Sequence, residues 1–226
     1  FGSARRVWTT IREIMMLLCI GVGLAPAFKM RFWNIGGEGQ VLVGGVAAAA
    51  CMIYLAPNMP LAPVLLIMFV LSALAGAIWG LIPAVFKARW NTNETLFTLM
   101  MNYIALQITS FCVSKWENPY GSNTVGIINP TTNAGWFPSI FGQQYMLNVI
   151  IVVLIAVAMY LYLKYSKQGF EIAVVGESMN TARYAAINVK RVIIRTVMIS
   201  GAICGIAGFI AVAGAGHTIS TSTAGG

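Results

Sequence analysis

The chain has 226 residues, of which 58% are apolar and 9% charged, and its mean hydropathy is +0.79. Soluble domains carry roughly a quarter charged residues, so this composition excludes an ordinary soluble enzyme, a disordered tail, a collagen-like fibre and a disulfide-rich secreted module. The net charge of +8 comes from small basic groups set between apolar runs, not from a continuous basic face with exposed aromatics; this excludes a nucleic-acid binder and fits a membrane protein.

Crossing the hydrocarbon core takes about 20 mostly apolar residues. Apolar runs lie near 14–28, 41–56, 61–86, 95–113, 145–163 and 192–216. They predict an all-α, polytopic transmembrane helical bundle, a single membrane domain over 1–226. The first two runs are short, so tilted, re-entrant or broken helices are expected within 14–56. An N-terminal signal peptide is a rival reading, since Arg5 and Arg6 precede an apolar core and Ala25-Pro-Ala27. Proline inside that site and five further runs weigh against it.

Loop charges set the orientation. Residues 164–195 carry Lys164, Lys167, Arg183, Lys190, Arg191 and Arg195 against Glu171 and Glu177, whereas 114–144 carry Lys115 and Glu117. Positive residues stay inside, so 164–195 is expected in the cytoplasm, with the turn holding Lys87 and Arg89, and 114–144 is expected to be an extracytoplasmic loop. By the same count Arg5, Arg6 and Arg12 fall outside, against the rule; either the first run does not cross fully or an upstream span sets its insertion. The outer loop reads as turns, with Trp116, Trp136 and Phe137 expected at the membrane interface.

No catalytic set is present. All six acids are glutamates, His217 is the one histidine, and Gly36-Gly-Glu-Gly-Gln40 lacks the lysine and hydroxyl of a P-loop. His217 is expected to cap a helix end or lie at an interface. Cys19, Cys51, Cys112 and Cys204 are far apart inside apolar runs and read as small buried hydrophobes, with no metal site. The pairs Gly76/Gly80 and Gly201/Gly205, with Gly208, are small residues that let helices approach closely in lipid.

Three polar islands carry the functional reading. Asn34, Glu38 and Gln40 lie in a glycine-rich stretch; Glu38 either faces a cavity or pairs with Lys29 or Arg31 in a turn. Asn93 or Thr92 caps the fourth run and Glu94 complements its dipole, but Asn102 lies within the span, where an amide needs a partner or a solvated solute. The segment 164–191 holds a short capped helix starting at Ser178 and ending around Asn188. It is shaped to dock a cytosolic subunit or to anchor on anionic lipid.

The stretches FWNIGGEGQ (32–40), GLIPAVFKARWNTNETLFTLMMNYIAL (80–106) and GFEIAVVGESMNTARYAAINVKR (169–191) resemble the permease subunits of bacterial ABC importers. The resemblance is to the nucleoside and simple-sugar branch, related to branched-chain amino acid permeases. It implies a subunit in the bacterial plasma membrane that is not itself an enzyme and holds no cofactor, with ATP and magnesium on separate cytosolic ATP-binding subunits. A second permease subunit and an extracytoplasmic substrate-binding protein or lipoprotein would complete the importer. Asn34, Glu38, Gln40 and Asn102 would line the substrate path, and Glu177, Ala182, Arg183, Tyr184, Ala185 and Asn188 would couple to the ATPase. The solute would be small and polar, a nucleoside first and a simple sugar next; a stand-alone carrier or channel is the competing class. The chain departs from the family in having Gly37 where an alanine is usual and Ala186 where a glycine is usual. The family also has further spans, so a chain stopping at Ala224-Gly-Gly226 is expected to be a piece of a longer protein.

Overall fold

The computed structural model describes residues 4–140 and 142–223, with side chains from Arg6 onward. The side chain of Arg5 and the terminal residues 224–226, both invoked above, lie outside the described residues. Six helices are long and apolar enough to cross a membrane, and no strand occurs among the described residues. They are α1 (Ala4–Lys29), α2 (Gly37–Tyr54), α3 (Leu61–Trp90), α4 (Glu94–Lys115), α5 (Met146–Tyr165) and α8 (Val189–Ala211); two short helices, α6 (Lys167–Glu177) and α7 (Met179–Tyr184), precede α8. The bundle therefore has two ends, one carrying the loop 116–145 and the other carrying α6 and α7.

The first run is not short. α1 extends to 26 residues because its helix continues through the polar turns before residue 14, where Arg12 pairs with Glu13 and lies 5.5 Å over the Tyr145 ring. It is long and apolar enough to span a membrane and has Arg12 at the end that carries the loop 116–145. The interruption expected within 14–56 falls instead between the helices, at residues 30–36. α2 has 18 residues and is extended at its far end by a 3-10 turn, Ala56–Asn58.

α8 is the axis of the bundle, and small residues put it there. A methyl on Gly76 of α3 would strike the Gly201 carbonyl oxygen, one on Gly205 would strike the Ser72 carbonyl, and one on Gly208 would strike the Val41 carbonyl of α2. With no Cβ at these positions α2, α3 and α8 touch backbone to backbone, and dispersion replaces the hydrophobic drive that lipid does not supply. α4 and α5 stand at the periphery. The ends of the short helices follow from side-chain caps: Ser166 accepts from Gly169 N–H at 2.9 Å, Ser178 from Thr181 N–H at 3.3 Å and Asn188 from Arg191 N–H at 3.1 Å. Asn188 thus opens α8, whereas α7 ends earlier, at Tyr184.

The loop 116–145 packs onto the helix ends. Asn129 Nδ2 donates to the Met52 carbonyl at 2.8 Å, Ile128 N–H to the His217 carbonyl at 2.8 Å and Phe137 N–H to the Ala213 carbonyl at 3.0 Å. Phe137 is buried against Phe209, with ring centroids 5.1 Å apart, and is not an interfacial anchor. Trp136 is half-buried and stacks on His217 at 3.8 Å. His217 ends the π-helical turn Val212–Gly216 in a left-handed conformation, φ 50°.

Candidate functional site

The link 30–36 joins the polar islands into one network. Asn102, two turns into α4, receives Gly39 N–H on Oδ1 at 2.9 Å and donates Nδ2 to the Ile35 carbonyl at 2.9 Å. Asn34 is fully buried; its Oδ1 accepts from Gly36 N–H at 3.1 Å and its Nδ2 reaches Gln40 Oε1 and Ser200 Oγ, each at 3.4 Å. Gly39 allows the approach, since a methyl there would lie 2.8 Å from Asn102 Oδ1. The two asparagines replace the hydrogen bonds that the non-helical backbone lacks, which is what irregular backbone between spanning helices requires.

Three of the four residues expected to line the path, Asn34, Gln40 and Asn102, are therefore brought together and are bonded to one another or to backbone. Glu38 differs: it is half-buried in the first turn of α2 and pairs with neither Lys29 nor Arg31, because the ion pairs among the described residues are Arg12–Glu13 and Lys87–Glu94. Asn93 is the cap of α4, accepting from Leu96 N–H at 3.2 Å, and Glu94 meets Lys87 at 2.8 Å across the α3–α4 turn. Ser200 was not singled out in the sequence. Its only signal was a hydroxyl inside an apolar run, which is too common in membrane helices to notice.

The same link touches α6 from its other side. Met30 and Phe32 are buried with Ile172, Val175 and Ala182 in one cluster, and a methyl on Gly176 would strike the Lys29 carbonyl. Among the expected coupling residues, Glu177, Arg183, Ala185 and Asn188 are exposed and Tyr184 is 93% exposed. Ala182 is fully buried, so it anchors α7 and does not present a surface. Two clefts of about 440 Å³ flank α7; one is lined by Lys87, Arg89, Arg183 and Lys190, the other by Lys167, Arg191 and Arg195. Cys19, Cys51 and Cys204 are buried and Cys112 half-buried, and no group of metal ligands occurs among the described residues.

A bundle of six helices long and apolar enough to span, with a polar network between them, is the architecture of a polytopic membrane protein. Residues 7–225 match the family described as branched-chain amino acid transport system / permease component, and the chain belongs to that family. It is 35% identical over 214 residues to a guanosine ABC transporter permease of Bacillus subtilis, covering 92% of this chain and 60% of that protein. It is 26% identical to a nucleoside ABC transporter permease of Lactococcus lactis, covering 92% of this chain and 59% of that one. A glucose ABC transporter permease of Haloferax volcanii is 25% identical, covering 90% and 56%. The chain thus spans less than two thirds of the length of each of these relatives. No solved structure matches it.

Proposed function

We propose that this chain is the membrane-spanning part of a permease subunit of an ATP-driven importer in the bacterial plasma membrane. It forms the translocation path for a small polar solute, with a nucleoside favoured over a simple sugar because two of the three relatives above are named for nucleosides. Cytosolic subunits carry ATP and magnesium, a second permease subunit completes the pathway, and an extracytoplasmic binding protein or lipoprotein delivers solute. The segment 164–195 faces the cytoplasm and 114–144 the outside.

The observation that carries the reading is α7. A six-residue helix, anchored by Ala182 and presenting Arg183 and Tyr184 between two basic clefts, suits a docking partner that pushes on it. The push would reach the path through Gly176 and the link 30–36, whose far side holds Asn34, Gln40 and Asn102, with Glu38 offering an unpaired carboxylate. A stand-alone carrier coupled to protons or sodium needs several ionisable groups within its spans, and Glu38 has no such company here.

Purification of the full-length protein from its own membranes in mild detergent tests this. A stoichiometric ATPase subunit should accompany it and be lost when Arg183 and Tyr184 are both replaced by alanine, with ATP-dependent uptake lost in parallel. Uptake by the protein alone in liposomes, without ATP, would sink the importer reading in favour of a carrier or channel.

A further inference from the structure

α4 carries a second polar feature, about a third of a turn round the helix from Asn102. Tyr103, Gln107, Ser110 and Ser114 recur at i, i+4, i+7 and i+11 and form one stripe on a helix of 3.6 residues per turn. All four are exposed, Tyr103 by 63%, and none makes a hydrogen bond within the described residues. Gln107 is eight residues from the Lys115 end, roughly 12 Å into the span. The outward faces of other helices differ: every exposed side chain is apolar over 61–86 of α3, 149–159 of α5 and 14–28 of α1. Those faces suit lipid; the α4 stripe does not, because an amide and hydroxyls in hydrocarbon lack partners.

Nothing in the stripe is charged, and α4 has no Asp, Glu, Lys, Arg or His between Glu94 and Lys115. Flanking it, Phe111 is 71% exposed and offers, with Tyr103, flat apolar faces. We propose that this face of α4 is the wall of the aqueous solute path, and that it takes an uncharged solute bearing hydroxyl, amide or ring-nitrogen groups and a flat face for stacking. A zwitterionic amino acid finds no counter-charge on it. Asn102, roughly 80–140° round the helix from the stripe, has both ends of its amide engaged by backbone, so the polar groups of this helix left free for a solute are on the Tyr103–Ser114 side.

The inference rests on the transporter reading of the fold but is tested separately from the importer reading. In the full-length protein within its complete transporter, carried in a Cys112→Ala background, Gln107→Cys, Ser110→Cys and Ser114→Cys are compared with Leu154→Cys on the apolar face of α5. A water-soluble thiosulfonate reagent should modify the three stripe cysteines at least tenfold faster than position 154. Guanosine or glucose, whichever the parent imports, should slow that reaction severalfold, and leucine should not. Stripe cysteines no more reactive than position 154 would overturn the proposal, as a lipid-facing or dry helix contact. So would reaction that the imported solute leaves unchanged, or protection by leucine. If the parent imports neither probe with ATP, the nucleoside-or-sugar assignment fails, while the contrast in reactivity still decides whether the stripe is wet.

Discussion

Ala186 shows how one residue can work against its backbone. It sits at φ 57° just after α7, where Ala186 N–H donates to the Arg183 carbonyl at 3.1 Å and Ile187 N–H to the Ala182 carbonyl at 2.9 Å. That is the Schellman ending of a helix, whose left-handed position favours glycine because a Cβ crowds the following carbonyl. Ala186→Gly should stabilise the protein by about 1 kcal/mol, read as a higher melting temperature in detergent with unchanged helix content.

Also at this scale, His217 is buried beneath Trp136, and burial lowers its pKa from the ordinary 6.5. The folded state then binds its proton less readily than the unfolded chain. The neutral ring's contribution to stability is complete above pH 6.5 and is lost as pH falls below that value. His217→Asn, which does not titrate and tolerates left-handed backbone, should flatten the loss of thermal stability on going to mildly acidic pH.

At the scale of the helices, contact between α3 and α8 depends on missing side chains. Gly76→Ala places a methyl into the Gly201 carbonyl, and both partners are backbone, so neither can rotate away. Overpacking of this kind costs about 2–3 kcal/mol. Gly21→Ala is the matched control on α1, where a methyl meets nothing within 4 Å and helix propensity improves by about 0.5–1 kcal/mol. Thermal unfolding of the two variants should move in opposite directions. Equal effects would mean that α8 does not seat on α3 through these glycines.

The link 30–36 connects this scale to the whole molecule. It is held on one side by Asn34 and Asn102 and on the other by packing against α6, so a displacement of α6 and α7 cannot leave the network unmoved. Coupled transitions work through such packed, two-sided elements. Asn102→Ala removes two hydrogen bonds and leaves the buried Gly39 N–H and the part-buried Ile35 carbonyl without their partner, at a cost of about 1–3 kcal/mol. It should lower thermal stability and uptake together. Glu38→Gln breaks no contact and should lower uptake with stability unchanged; a stable variant with normal uptake would remove Glu38 from the path.

Chain-order patterns were enough for much of this. Apolar runs long enough for hydrocarbon located the six spans, because a spanning helix must be apolar over a fixed length wherever it packs. Local capping chemistry located the starts of α4 and α7, because a cap acts within three residues; the end expected around Asn188 was the cap of the next helix instead. The small-residue pairs marked which helix faces come close, and the i, i+4, i+7 spacing of Tyr103, Gln107 and Ser110 was equally present in the sequence. Which face of α4 is open was not, since Asn102 and Gln107 look alike as amides in an apolar run. Only packing against α2 engages one and leaves the other exposed. The pairing of Asn34 with Ser200, the seating of the link on α6 and the burial of Phe137 against Phe209 likewise needed the tertiary structure. Each joins residues far apart in the chain, and local propensity carries no information about contacts at that separation.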